Sequence, residues 1–172
     1  MKIIKANTYI PISGEPFELP IPLKLELLWA NNLLCVYSVS EDETVDYTYN
    51  INTDIPILTP TGRKLRMSDI YYLLRSRVFR DNPYVTPTEL ARLGLTEYNP
   101  YQIVRKTYGI LPGDCYWIRR ADDKTDYAAA SELYRDYYTL TPEQRAEKYK
   151  FKKSDEEVSY VQIEDFLDLN EY

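Results

Sequence analysis

The sequence predicts an α+β fold, an N-terminal antiparallel β-meander packed against several short helices. Three observations predict it. The first third alternates apolar and polar residues in three short runs separated by turn residues. The remainder is punctuated by helix-start signals of the form cap–Pro–x–Glu/Gln and by glycine stops. The chain has 172 residues, 44% hydrophobic and 28% charged, which is globular and long enough to bury a core.

The elements follow in order. Pro11, Pro16, Pro20 and Pro22 keep the opening segment irregular or at a sheet edge. Residues 23–27 (LKLEL) alternate as a strand with one wet face does. Asn31 and Asn32 mark a hairpin turn, because asparagine tolerates left-handed backbone. Residues 33–39 give a second strand, Ser40 to Glu43 an acidic turn, and residues 45–51 a third strand. Pro56, Pro60 and Gly62 then interrupt the chain.

Ser68 is expected to cap a helix beginning at Asp69, whose carboxylate suits the positive end of the dipole. Thr86-Pro87-Thr88-Glu89 reads as a capping box with proline at the first helical position, and Gly94 as the stop. Asn99-Pro100-Tyr101-Gln102 repeats the pattern, closed by Gly109; Thr141-Pro142-Glu143-Gln144 is the third instance. Between them, residues 127–138 form a helix around Ala128, Ala129, Ala130 and Leu133. The organisation expected is a β-rich part, 1–62, a helical part, 63–149, packed on it as one domain, and a charged linker with an acidic C-terminal helix, 150–172.

Composition excludes several chemistries. Histidine is absent, which removes Ser-His-Asp and Cys-His nucleophiles, histidine bases and histidine-ligated metals. Cys35 and Cys115 stand far apart, with neither disulfide-framework nor metal spacing. No two of the five glycines are spaced as in a phosphate loop. The reading is therefore no catalytic residues, no metal and no cofactor. No apolar run is long enough to cross a membrane, and the N-terminus lacks the apolar stretch of a signal peptide, so a cytoplasmic protein is expected.

The net charge of −6 is unevenly divided. Residues 61–120 hold eleven basic and five acidic side chains, whereas the flanking parts are acidic. Two interaction surfaces follow. Acidic ends (Glu41, Asp42, Glu43, Asp155, Glu156, Glu157) would engage a protein partner. Alternatively, the basic centre (Arg75, Arg77, Arg80, Arg105, Lys106, Arg119, Arg120), interleaved with tyrosines, would contact nucleic-acid phosphates and bases, or would pair with the chain's own acids. Tyrosine is in excess, 18 residues, and suits core edges and interfaces alike.

The most patterned segment is Gly109-Ile110-Leu111-Pro112-Gly113-Asp114-Cys115-Tyr116-Trp117. It reads as a helix stop, a Pro-Gly turn, an aspartate that can bond nearby amides, and an aromatic pair entering a strand or the core, with Trp117 and Tyr116 as anchors. With Arg77, Gly94-Leu95 and the helix at 127–138, in that order, it resembles the accessory region ahead of the kinase core in a family of bacterial HipA-like kinases. The resemblance covers about residues 65–140, and Pro112-Gly113 departs from the family's pattern. The residues that would bind ATP and metal have no counterpart. The resemblance thus implies a detached accessory domain of bacterial or phage origin that acts by binding. Its partner would be a kinase-like toxin or a host defence complex, in the manner of an anti-CRISPR inhibitor.

Overall fold

A computed structural model describes residues 16–50, 53–59 and 62–150. The fold is α+β. Strands β1 (Leu23–Trp29), β2 (Asn32–Val39) and β3 (Val45–Tyr49) form the expected meander, and β4 (Tyr116–Arg120) returns from the helical half to pair with β1. The four-stranded antiparallel sheet has the order β3-β2-β1-β4. The part beyond residue 62 thus contributes one strand to the sheet as well as the five helices.

The meander follows its apolar alternation with one irregularity. Leu27 pairs with Cys35, but Leu28 pairs with Leu33. Leu34 is the extra residue of a bulge, which lets consecutive Leu34 and Cys35 both enter the core. The first turn lies one residue earlier than the asparagine pair suggests. Ala30 adopts a left-handed φ of 48°. Its amide donates to Cys115 O at 2.9 Å, and its carbonyl accepts from Trp117 Nε1 at 2.7 Å. Two bonds to β4's end of the sheet hold a conformation that alanine disfavours.

Five helices follow: α1 (Met67–Arg75), α2 (Thr86–Leu93), α3 (Pro100–Thr107), α4 (Tyr127–Thr139) and α5 (Pro142–Lys150). Their starts show which cap signals were sound. Asn99 accepts from the amides of Tyr101 and Gln102, as expected of an N-cap before proline. Thr141 and Gln144 exchange the reciprocal bonds of a capping box. Thr86 differs. The helix is present and Gly94 ends it at a left-handed φ of 69°, but the Thr86 hydroxyl turns backward, accepting from Asn82 N and donating to Asp81. A turn at Asn82–Val85 already supplies the carbonyls for the first helical amides. α1 also begins earlier than Ser68 suggested. Asp69 sits at its third position, accepts from Arg66 N at 2.8 Å and is held by Arg63. The final acidic helix expected beyond residue 150 lies outside the described residues.

Both sheet faces are covered at the β1–β4 side. The main core joins Leu23, Leu25, Leu27, Tyr37 and Ile118 of the sheet to Ile70, Leu73 and Leu74 of α1 and Val104 of α3. On the opposite face, Leu28 and Trp117 pack against Tyr108, Ile110 and Ala130 of α4. Trp117 is fully buried, as expected of an anchor; Tyr116 is half-buried, its hydroxyl donating to Pro56 O. A third cluster, Leu90, Leu93, Ile103 and Tyr137, joins α2, α3 and α4.

Candidate interaction surfaces

The residues singled out in the Gly109–Trp117 segment converge with Arg77 in one clamp. Arg77, just past α1, is buried at 4% exposure. Its Nε donates to Gly109 O at 2.8 Å, and Nη1 and Nη2 donate to the two oxygens of Asp114, each at 2.8 Å. Nη2 also donates to Tyr116 O at 2.7 Å. The planar fork thus answers a bidentate carboxylate and two carbonyls at once, which lysine could not do. Burial works against the Asp114 charge, but the Arg77 hydrogen bonds outweigh it and hold the carboxyl below its usual range.

The clamp bears on the sheet's edges. The bonds Ala30 N to Cys115 O and Ala121 N to Lys24 O set the phase of the β1–β4 ladder. Alternation then leaves Tyr116, Ile118 and Arg120 with backbone groups facing outward. Tyr116 O receives Arg77, and Ile118 N donates to Tyr108 O at 2.8 Å. Arg77 and Tyr108 stand where a further strand would pair, so this edge is closed.

The other edge is unlike it. Ser40 N donates to Thr44 O, and Asn50 N to Leu34 O. The same phase argument turns Asp46 and Thr48 toward β2 and leaves the backbone groups of Val45, Tyr47 and Tyr49 facing outward. Among the described residues none bonds to them, although Val45 itself is buried at 2% exposure. Tyr47 and Tyr49 stack with ring centroids 6.1 Å apart, and Tyr49 is 44% exposed.

The cations expected in a nucleic-acid surface are mostly committed to the fold. Arg77 is buried in the clamp, which removes it from any phosphate surface. Arg119 pairs with Glu26 at 2.7 Å, donates to Thr125 O and lies over the Trp117 ring. Arg120 forms two bonds to Asp122, whose carboxyl they lower. Arg75 is half-buried, its guanidinium 5.2 Å from the Phe17 ring centre, and Arg105 and Lys106 are half-buried at the end of α3. Of the seven, Arg80 alone is exposed.

The acids behave oppositely. Glu41, Asp42 and Glu43 occupy the β2–β3 turn and are exposed, as is Asp46 on β3. Asp42 accepts from the Ser40 hydroxyl and Thr44 N, which hold its carboxyl below the ordinary value and fix the turn. Asp155, Glu156 and Glu157 lie outside the described residues.

Sequence reasoning missed two buried charges. Arg145 of α5 is 2% exposed and donates to Leu140 O and Arg92 O, tying the ends of α4 and α2, with its guanidinium over the Tyr137 ring. Asp136 of α4 is 4% exposed and accepts from Lys148 and the Tyr149 hydroxyl. Their i, i+8 to i, i+13 reach across a Pro-started turn was the available signal.

The concave features are modest. A cleft of about 30 Å³ between α3 and β4, lined by Tyr101, Arg105, Arg120 and Asp122, holds little more than a water or two. A shallow groove of about 820 Å³ at the sheet's end is lined by residues including Pro20–Lys24, Val39, Asp46 and Ala121. Among the described residues, no group of three His, Cys, Asp or Glu is arranged to hold a metal, and no helix is long and apolar enough to cross a membrane. Burial pushes the Cys35 thiol up to about 11, away from nucleophilic use. No protein-family model matches the chain, and neither the curated proteins nor the solved structures contain a significant match to it.

Proposed function

We propose that this chain is a non-enzymatic protein-binding module that meets its partner through the acidic β2–β3 side of its sheet. The observation carrying this is the contrast in exposure. Glu41, Asp42, Glu43 and Asp46 stand in solvent, whereas six of the seven central cations are buried or half-buried. Phosphate recognition needs guanidinium groups free to leave water for the backbone. Here Arg77, Arg119 and Arg120 are held by carboxylates and carbonyls of the same chain.

A partner for such a surface carries exposed basic groups. A protein built to hold nucleic acid has them, and so does a kinase-like toxin with a phosphate-binding cleft. The resemblance of residues 65–140 to the HipA-like accessory region supports a bacterial or phage setting, in the cytoplasm, with the chain acting as a regulator or an inhibitor of a host defence complex.

Fluorescence anisotropy with labelled mixed-sequence RNA and DNA at physiological salt tests the choice of partner class. The expected result is no saturable binding, since the net charge of −6 opposes approach. Tight binding that falls steeply with salt and is lost in Arg75→Ala with Arg80→Ala would overturn the protein-partner reading in favour of nucleic acid.

A further inference from the structure

A buried hydroxyl without a partner costs stability unless a ligand supplies the missing bond. Tyr101 of α3 is 1% exposed, and its hydroxyl is buried with no hydrogen-bond partner among the described residues. It borders the cleft between α3 and β4. We infer that this cleft binds the carboxylate group of a small monocarboxylic acid, which accepts from the Tyr101 hydroxyl and from the Arg105 and Arg120 guanidiniums. The inference goes beyond the protein-binding reading and does not rest on it.

The donors converge first. Arg120 pairs with Leu25 across the β1–β4 ladder, so its side chain leaves the sheet on the face that carries Leu25 and Ile118 and meets α3. Arg105 follows Tyr101 by four residues on α3, on the same side of the helix. Burial pushes the Tyr101 hydroxyl up, and the charges of Arg105 and Arg120 act against that rise, which places both guanidiniums near it. A guanidinium only donates. However closely Arg120 approaches, the Tyr101 hydroxyl proton still needs an acceptor, and the ligand must bring one.

Charge and size narrow the ligand. The lining holds three guanidiniums, Arg105, Arg119 and Arg120, against two carboxylates, Asp122 and Asp123. Arg119 is also answered by Glu26, so the site has no more than one positive charge in surplus. A monoanion suits that balance, whereas a dianion would be repelled by Asp122, which Arg120 already holds through two bonds. The cleft of about 30 Å³ takes roughly two atoms of water size. That is the room a carboxylate's two oxygens need, and too little for a phosphate's four. Leu25, Val104 and Ile118, all buried, wall the inner end, where hydrogen bonds act in low dielectric. Arg105 and Arg120 are only half-buried and Asp122 is exposed, which leaves a mouth for the rest of the acid.

The probe is sodium acetate at neutral pH, titrated into the full chain and followed by NMR of side-chain methyl and arginine Nε–H signals. Sodium chloride at equal ionic strength, sodium phosphate and neutral acetamide are the controls. The expected result is saturable acetate shifts at Val104, Ile118, Arg105 and Arg120, with no saturable shift from the controls. Tyr101→Phe should weaken acetate about tenfold or more, the loss of one hydrogen bond to a charged group. The same variant without acetate should melt no lower than the wild type, because it removes an orphaned hydroxyl. Arg105→Gln should weaken acetate as well, with Tyr101 left in place.

Acetate shifts no larger than those from chloride would overturn the proposal. So would phosphate binding more tightly than acetate, or full acetate affinity in Tyr101→Phe. A Tyr101→Phe protein that melts well below the wild type would mean that the hydroxyl is bonded within the fold, and would overturn it too. Acetyl-glycyl-glycine offers the same carboxylate on a peptide end; tighter binding than acetate would assign the cleft to a polypeptide terminus and contradict the small acid. None of these readouts bears on oligonucleotide anisotropy, so the cleft can fail while the protein-binding reading stands.

Discussion

Replacing Arg77 with methionine removes four hydrogen bonds at once while keeping most of the side-chain volume. Three groups are left behind: the Asp114 carboxylate, the Gly109 carbonyl and the Tyr116 carbonyl. Breaking a buried ion pair from one side costs about 3–5 kcal/mol, and each orphaned buried acceptor about 1–3 kcal/mol. Asp114 is one-third exposed, so water recovers part of its share and the lower end applies. The expected loss is about 3 kcal/mol, a large part of a typical domain's 5–15 kcal/mol. With a urea slope of about 2 kcal/mol/M, the equilibrium midpoint should fall by about 1.5 M. Adding Asp114→Asn to Arg77→Met should recover part of this, because no unpaired charge then remains. Arg77→Lys should fall between, since one ammonium cannot span the fork. A midpoint for Arg77→Met that corresponds to less than about 1 kcal/mol would refute the view that the clamp organises this end of the sheet.

Trp117→Ala empties a fully buried site between the sheet and α4 and should cost about 3–5 kcal/mol in the same urea assay, with loss of near-ultraviolet dichroism. Gly109→Ala should destabilise by about 1–2 kcal/mol or more, because φ is +60° and the added Cβ would sit 3.0 Å from Arg77 Cβ; a neutral effect would mean the clamp yields easily. Acid should unfold the chain through Asp114 and Asp136. In both, burial opposes the charge but is outweighed, by the Arg77 bonds and by the Lys148 and Tyr149 bonds respectively, and the folded carboxyl is held below its unfolded value. Stability is then full above the ordinary carboxylate range and is lost as pH falls through it, from about pH 5 downward. Melting temperature measured against pH should show this decline, and Asp114→Asn should flatten it.

The parts of the fold legible in the sequence are those governed by local chemistry. The three meander strands follow from alternation, and the Asn99 and Thr141 helix starts follow from side chains that reach only two or three residues along the chain. Thr86 shows the limit of that reasoning. Its hydroxyl had two possible uses, and the Asn82 turn before it, rather than the helix after it, took the bond. The pairing of β4 with β1 lies some ninety residues apart and left no local trace beyond an aromatic pair. The charge surface was the least legible part. Eleven cations between residues 61 and 120 look like a basic patch in one dimension. Folding brings Arg77 to Asp114 and Arg119 to Glu26, and the patch becomes internal pairs. The place of β3 at the sheet's edge was beyond local reasoning too, because it depends on where the first and last strands of the sheet fall.

Residue-level hydrogen exchange on the free protein tests the unlike edges most directly. The Ile118 amide, bonded to Tyr108 O, should exchange slowly, near the rate set by global unfolding. The Tyr47 and Tyr49 amides, turned away from β2, should exchange orders of magnitude faster, while the amides of Asp46 and Thr48, turned toward β2, stay protected. Equal protection along every residue of β3 in the dilute monomer would mean that edge is covered, and would contradict the asymmetry of the sheet.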